Sequence, residues 1–171
     1  REILSFSFYL YKNFNLSRVY YSGFIPVPKT PLEYKKPCSL KRQVRLYQAD
    51  ILIRKYKFLP SEIPFEKNGN LSLNKDPKIM WAEKNKNFFP IEINIADFYQ
   101  LIRVPGIGIK SAKKILEIRK DGKIKSEITL KKIGVRLKKA MPYILIDGKR
   151  IKENEKRKED EFYYTIFDEI I

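Results

Sequence analysis

The chain has no histidine and a single cysteine, Cys38, in 171 residues. A disulfide within the chain is therefore excluded. A zinc site of the usual His/Cys kind cannot be built, nor any nucleophile–histidine dyad. Cys38 is expected to be a small, partly buried residue. Long apolar runs are also missing, so no segment is expected to cross a bilayer. The first apolar stretch, Ile3 to Leu10, is short and interrupted by Ser5 and Ser7. No small-residue cleavage site follows it, so it does not read as a signal peptide. A cytoplasmic setting is the default expectation. The chain opens on Arg1 rather than Met, which is consistent with a fragment of a longer protein.

Acidic residues are scarce. Thirty-six Lys or Arg stand against 20 Asp or Glu, giving a formal charge of +16 and a pI near 9.8. Such a balance favours a polyanionic partner, nucleic acid or an acidic membrane surface. Its distribution favours nucleic acid, and no membrane partner is expected. Residues 101–150 hold fifteen Lys or Arg and four Asp or Glu, an excess of +11. Compositional bias toward Ile, Asn and Lys would also raise the lysine count, so charge alone is weak evidence.

The basic half contains Leu101-Ile-Arg-Val-Pro-Gly-Ile-Gly-Ile-Lys-Ser-Ala-Lys-Lys-Ile115. It reads as a helix, a tight Pro-Gly-x-Gly hairpin and a second helix. Gly106 and Gly108 are expected to adopt backbone angles closed to other residues and to leave the main chain bare toward a ligand. Amides at the hairpin and at the next helix start would then form an anion site, reinforced by the helix dipole. Leu101, Val104, Ile107 and Ile115 supply an apolar seam, and Ala112 is small where the helices approach. The segment resembles the helix–hairpin–helix motif that grips a DNA backbone. That resemblance implies phosphate contacts from Gly106, Ile107, Gly108, Lys110, Ser111, Lys113 and Lys114. An ordinary helical hairpin is the alternative, and the apolar, Pro-Gly-apolar-Gly and Ala spacing disfavours it.

The rest of the chain is expected to be mainly helical (α+β). Residues 2–14 read as a helix closed by Asn13 and Asn15. Arg18–Pro26 reads as a β-strand, with Tyr20, Tyr21 and Phe24 as core residues at strand spacing. One helix–strand unit cannot make a sheet, and no partner strand is evident. Residues 26–38, with four prolines, read as an extended linker. Residues 39–56 read as a helix burying Leu40, Val44, Tyr47 and Ile51. Residues 59–75 read as loop, and Asp76-Pro77 as a helix start. Asn94 is expected to cap the first helix of the motif, with Asp97 completing a capping box. The second helix is expected to run from Ile109 to Asp121-Gly122. Leu130-Lys-Lys-Ile-Gly-Val135 with Ala140 looks like a degenerate echo of the hairpin, packed against it as a pseudo-symmetric partner. Tyr143–Ile151 suggests a β-hairpin turning at Asp147-Gly148. Residues 152–161 are densely charged, and an aromatic tail, 162–171, is expected to dock on the body. Four parts result: 1–36, 37–93, 94–142 and 143–171.

Several segments occur together in one order: Val19-Tyr-Tyr-Ser-Gly-Phe-Ile-Pro-Val27, Arg45-Leu-Tyr-Gln-Ala-Asp50, Asp76-Pro77, Phe88-Phe-Pro90 and the Val104-Pro-Gly-Ile-Gly108 hairpin. This order resembles the C-terminal half of DNA modification/repair radical S-adenosylmethionine proteins. The resemblance implies that residues 1–36 are the last helix and strand of an incomplete α/β barrel. A [4Fe–4S] cluster and S-adenosylmethionine are implied for the full-length family only. Its Cys-x3-Cys-x2-Cys motif is absent here, so this chain is expected to hold no cofactor itself, and the missing barrel becomes a partner beside DNA.

Two other functions compete. A standalone hairpin-type DNA glycosylase/lyase would use a hairpin lysine, a place that Lys110 resembles. Such enzymes also need a downstream aspartate in a Val-Asp-Thr-His-like context, and the residues around Ile128 offer none. Lys110 therefore reads as a solvated phosphate contact, and no catalytic residue is assigned. A protein-interaction module is the other reading, disfavoured by the +11 excess.

Overall fold

A computed structural model of the chain describes residues 1–151. The charged and aromatic segments, 152–161 and 162–171, lie outside the described residues. Seven α-helices and a three-stranded sheet make up the described part, in keeping with a mainly helical α+β chain.

Helix α1 (Glu2–Phe14) ends at Asn15, which takes the left-handed conformation (φ 50°) that asparagine tolerates at a helix end. Helix α2 (Leu40–Arg54) begins at Ser39, whose hydroxyl accepts from the Lys41 amide. Helix α3 (Pro77–Lys84) begins at Asp76 with proline at its first position, as the sequence suggests. These helices share one core of Leu4, Tyr21, Leu46, Ala49, Leu52, Ile53, Phe58, Ile63, Leu71, Trp81 and Ala82.

The buried face of α2 differs from the expected one. Leu40, Val44 and Ile51 are exposed, and Leu46, Ala49, Asp50 and Ile53 point inward. The reason is polar: Asp50 is fully buried and accepts from the hydroxyls of Tyr11 and Tyr21 and from Nε of Arg54. A carboxylate can be buried when so many donors replace its water.

Arg18–Pro26 is not a strand. The amides of Val19, Tyr21 and Gly23 are met by side chains rather than by a neighbouring strand. The Val19 amide donates to the Tyr11 hydroxyl, the Tyr21 amide to the Tyr47 hydroxyl and the Gly23 amide to Oε1 of Gln43. Only Tyr21 of the three aromatics is buried; Tyr20 is 75% exposed and Phe24 38%. Strand propensity is satisfied here without a sheet.

A second core gathers residues from Ile91 to Ile146. Its helices are α4 (Phe98–Arg103), α5 (Ile109–Asp121), α6 (Glu127–Lys132) and α7 (Leu137–Ala140). Strand β1 (Ile91–Glu92) pairs in parallel with β2 (Ile144–Ile146), and β2 pairs antiparallel with β3 (Lys149–Arg150). The expected hairpin at Asp147-Gly148 is present, with both residues at positive φ. Its turn amides donate to the Glu92 carboxylate, which ties β1 to the hairpin.

Asn94 does not cap α4. Asp97 does, in a capping box with Gln100. The Asn94 amide instead makes a two-way bond with the Ile124 main chain, 30 residues away. Tyr56, Phe88, Phe89 and Tyr143 pack against both cores. Arg103 joins them too, paired with Glu62 at 2.7 Å and lying over the Phe58 and Trp81 rings.

Candidate nucleic-acid interface

Helices α4 and α5 pack closely, with Leu101, Val104, Ile107, Ala112 and Ile115 all at most 1% exposed, as the spacing requires. The hairpin between them is held from behind by the echo segment. The Arg136 amide donates to the Gly106 carbonyl at 2.9 Å. Gly106 has φ +83°, and a Cβ there would lie 2.5 Å from the Arg136 carbonyl oxygen. Gly106 is thus fixed by its own conformation and by close backbone approach of the second hairpin. The echo segment has the packing role its sequence suggests.

Gly108 is different. It is the N-cap of α5 at φ −92°, ψ 170°, ordinary extended backbone open to any residue. The expected unusual angle at Gly108 is therefore absent. A Cβ there would meet only the Tyr56 hydroxyl, at 3.6 Å.

Ile107 is a core side chain, so only its main chain faces the hairpin's surroundings. Ser111 is buried, and its hydroxyl donates to the Ile133 carbonyl. Lys110, Lys113 and Lys114 are exposed around the first turn of α5. The amides of that turn have no carbonyl one turn earlier in the helix. The structure therefore brings together helix-start amides, a positive dipole end and three solvated ammonium groups.

The sequence gives no hint of two further residues. Lys78, near the start of α3, is only 9% exposed, and its Nζ donates to the Ile107 carbonyl at 2.7 Å. That ammonium lies 4.7 Å from the centre of the Tyr56 ring. Burial pulls the Lys78 pKa down to about 7, with Asp76 partly opposing the shift. Burial likewise raises the Tyr56 pKa, opposed in part by the Ile109 amide that faces its hydroxyl. A lysine two residues after an N-cap is usually solvated, so burial here could be found only from the three-dimensional contact.

Among the described residues, no group of His, Cys, Asp or Glu is placed to hold a metal ion, and no helix is long and apolar enough to cross a membrane. The family described as "Helix-hairpin-helix motif" matches residues 86–138, which run from ahead of β1 through α4, α5 and α6 to the start of α7. No curated protein and no solved structure matches the chain.

Proposed function

We propose that this chain binds DNA through backbone phosphates, without sequence preference, at the start of α5. Taking the helix–hairpin–helix motif at 86–138 as pointing to nucleic acid, the observation that carries the finer reading is the arrangement at Gly108–Lys114. Main-chain amides of the helix start and the exposed Lys110, Lys113 and Lys114, spaced i, i+3, i+4 on one helical face, share this end of α5, and none of these groups reads a base. The phosphate ligands are the main-chain amides of Gly106, Gly108 and Ser111 and the three lysine side chains, whereas the Ile107 main chain is already bonded, its amide to Val104 and its carbonyl to Lys78. The test is fluorescence anisotropy with a labelled duplex across salt concentrations. Affinity falls steeply with salt, because each neutralised phosphate releases counterions. Binding that ignores salt, or depends on one sequence, refutes the reading.

The order of segments from Val19 to Gly108 supports a larger context, the C-terminal part of a radical S-adenosylmethionine enzyme of DNA modification or repair. Phe6, Tyr9, Phe14 and Tyr20 are each at least half exposed, an apolar surface suited to a neighbouring domain. On this reading the four-part division at 36, 93 and 142 follows the barrel end, connector, DNA module and tail. The iron–sulfur chemistry belongs to sequence outside this chain, and the setting is cytoplasmic. Extending the sequence upstream of Arg1 tests it: a three-cysteine cluster motif is expected. Borohydride trapping of a Lys110 adduct on abasic DNA would favour a lyase instead.

A further inference from the structure

Lys78 lies outside the motif, 29 residues before Ile107, yet its ammonium is bonded to the hairpin itself. The Ile107 carbonyl belongs to the same peptide unit as the Gly108 amide. A hydrogen bond from a cation to the carbonyl end draws electron density from the nitrogen end. The Gly108 N–H becomes a stronger donor, as in any polarised chain of hydrogen bonds. The charge also sits in a site of low water access, where its field on the hairpin is poorly screened. Tyr56 closes the site from the end of α2, its ring beneath the ammonium and its hydroxyl beside Gly108.

We infer that Lys78 is a positioning residue for phosphate binding, a buried cation that polarises the Ile107–Gly108 peptide from behind and couples the α2–α3 core to the DNA-binding hairpin. This rests on the phosphate-binding reading above. Lys78 touches no phosphate itself, so its contribution differs in kind from that of the surface lysines.

Two consequences separate it from a structural tether. A cation that never meets DNA displaces no counterion of its own, so its loss lowers affinity without changing the salt slope. Loss of Lys113 lowers the slope by about one. The second consequence is linkage. A phosphate at the hairpin favours the charged form of Lys78, so DNA binding takes up a proton. Affinity then falls as pH rises through the free-state pKa near 7. The groups facing Lys78 are Asp76 at the α3 N-cap and Tyr56 after α2, with Arg136 of the second hairpin acting on Tyr56. The chain has no histidine.

The experiment measures duplex affinity from about pH 6 to about pH 9, at several salt concentrations, for the parent, Lys78→Met, Lys113→Ala and Gly108→Val. The parent is expected to lose affinity toward alkaline pH, about tenfold for each unit by which DNA raises the Lys78 pKa. Lys78→Met is expected to be flat with pH, to match the parent's alkaline limit and to keep the parent's salt slope. If Gly108→Val and Lys113→Ala weaken binding while Lys78→Met retains the parent's affinity and pH profile, the inference fails and the phosphate reading stands. If neither hairpin variant weakens binding, both fail. Should Lys78→Met not fold, NMR titration of the Lys78 side chain in the unaltered protein decides the matter. A pKa raised by DNA supports the inference, and an unmoved one overturns it.

Discussion

The Gly106 carbonyl accepts from the Arg136 amide at 2.9 Å, and a Cβ on Gly106 would stand 2.5 Å from the Arg136 carbonyl oxygen. The two hairpins are clasped backbone to backbone. A substitution at Gly106 must both strain φ +83° and push α7 away, since Ala140 N would also lie at 3.1 Å. Gly106→Ala is expected to destabilise the second core by about 1–3 kcal/mol from strain alone, and by more once the clash is added. Denaturant unfolding measures it.

Gly108→Val separates fold from function, because φ −92° suits valine and a Cβ meets only the Tyr56 hydroxyl. Loss of stability should be about 1 kcal/mol or less, the scale of a changed N-cap. Affinity for duplex DNA should fall at least about tenfold, which is about 1.4 kcal/mol. A folded Gly108→Val that binds as the parent does would make the hairpin a turn only, with DNA held elsewhere on the basic surface.

Lys113 is exposed, one turn into α5. Lys113→Ala should leave the melting temperature within a degree or so of the parent, since exposed substitutions usually stay within about 0.5 kcal/mol. It should weaken binding evenly across sequences and lower the log–log salt slope by about one. Binding isotherms on two unrelated duplexes check both points.

What the sequence made legible was local. The ends of α1, α3 and α5 follow from Asn15, Asp76-Pro77 and Gly122, and the β-hairpin from Asp147-Gly148. The motif's seam follows from spacing alone. What was illegible depends on distant partners. Arg18–Pro26 has strand composition, but Tyr11, Tyr47 and Gln43 take its hydrogen bonds, so no sheet forms. The α2 face is turned by a buried carboxylate, against the apolar pattern. The parallel pairing of Ile91 with Ile144 joins residues 53 apart, and no local signal marks it. At the candidate site, the hairpin and its lysines were readable, while Lys78 was not, because its burial is created by Tyr56 and the hairpin together.

Asp50 tests the first core in the same terms. It is fully buried and accepts from Tyr11, Tyr21 and Arg54. Asp50→Ala removes the buried acceptor of Arg54 Nε and of the Tyr11 and Tyr21 hydroxyls, and breaking a buried pair typically costs about 3–5 kcal/mol, less here to the extent that Ser17, Ser7 and Val19 remain as partners. Since Asp50 lies among the residues of the first core and the motif has its own, the residual folded protein should keep the parent's salt slope on DNA. Chemical denaturation and the same anisotropy titration measure the two effects.

Lys78 makes stability rise with pH, the same direction as in acid denaturation but in a neutral-to-alkaline window. Its folded-state pKa is lowered, to about 7, against 10.5 in the unfolded chain. Between those values the unfolded chain binds more protons than the folded one, so the folded state gains stability as pH rises. Below about pH 7 both states carry the charge, and the burial penalty is present in full. The expected gain approaches about 1.4 kcal/mol per pH unit above 7, for this one group. Tyr21 and Tyr56, whose pKa values are raised by burial, work the other way, but only near pH 10 and above, where unfolded tyrosine ionises. The Arg1 α-amino group, its pKa lowered by burial, adds a slope of the same sign up to about pH 8, so the difference between the parent and Lys78→Met isolates Lys78. In Lys78→Met the slope should vanish between about pH 8 and about pH 9, above the range in which the α-amino group titrates. The variant should also be at least as stable as the parent at about pH 7, because methionine fills a similar volume without a buried charge. Urea unfolding at several pH values measures both. A parent flat across the window would mean that water reaches the ammonium, and the field on the hairpin would then be screened as well.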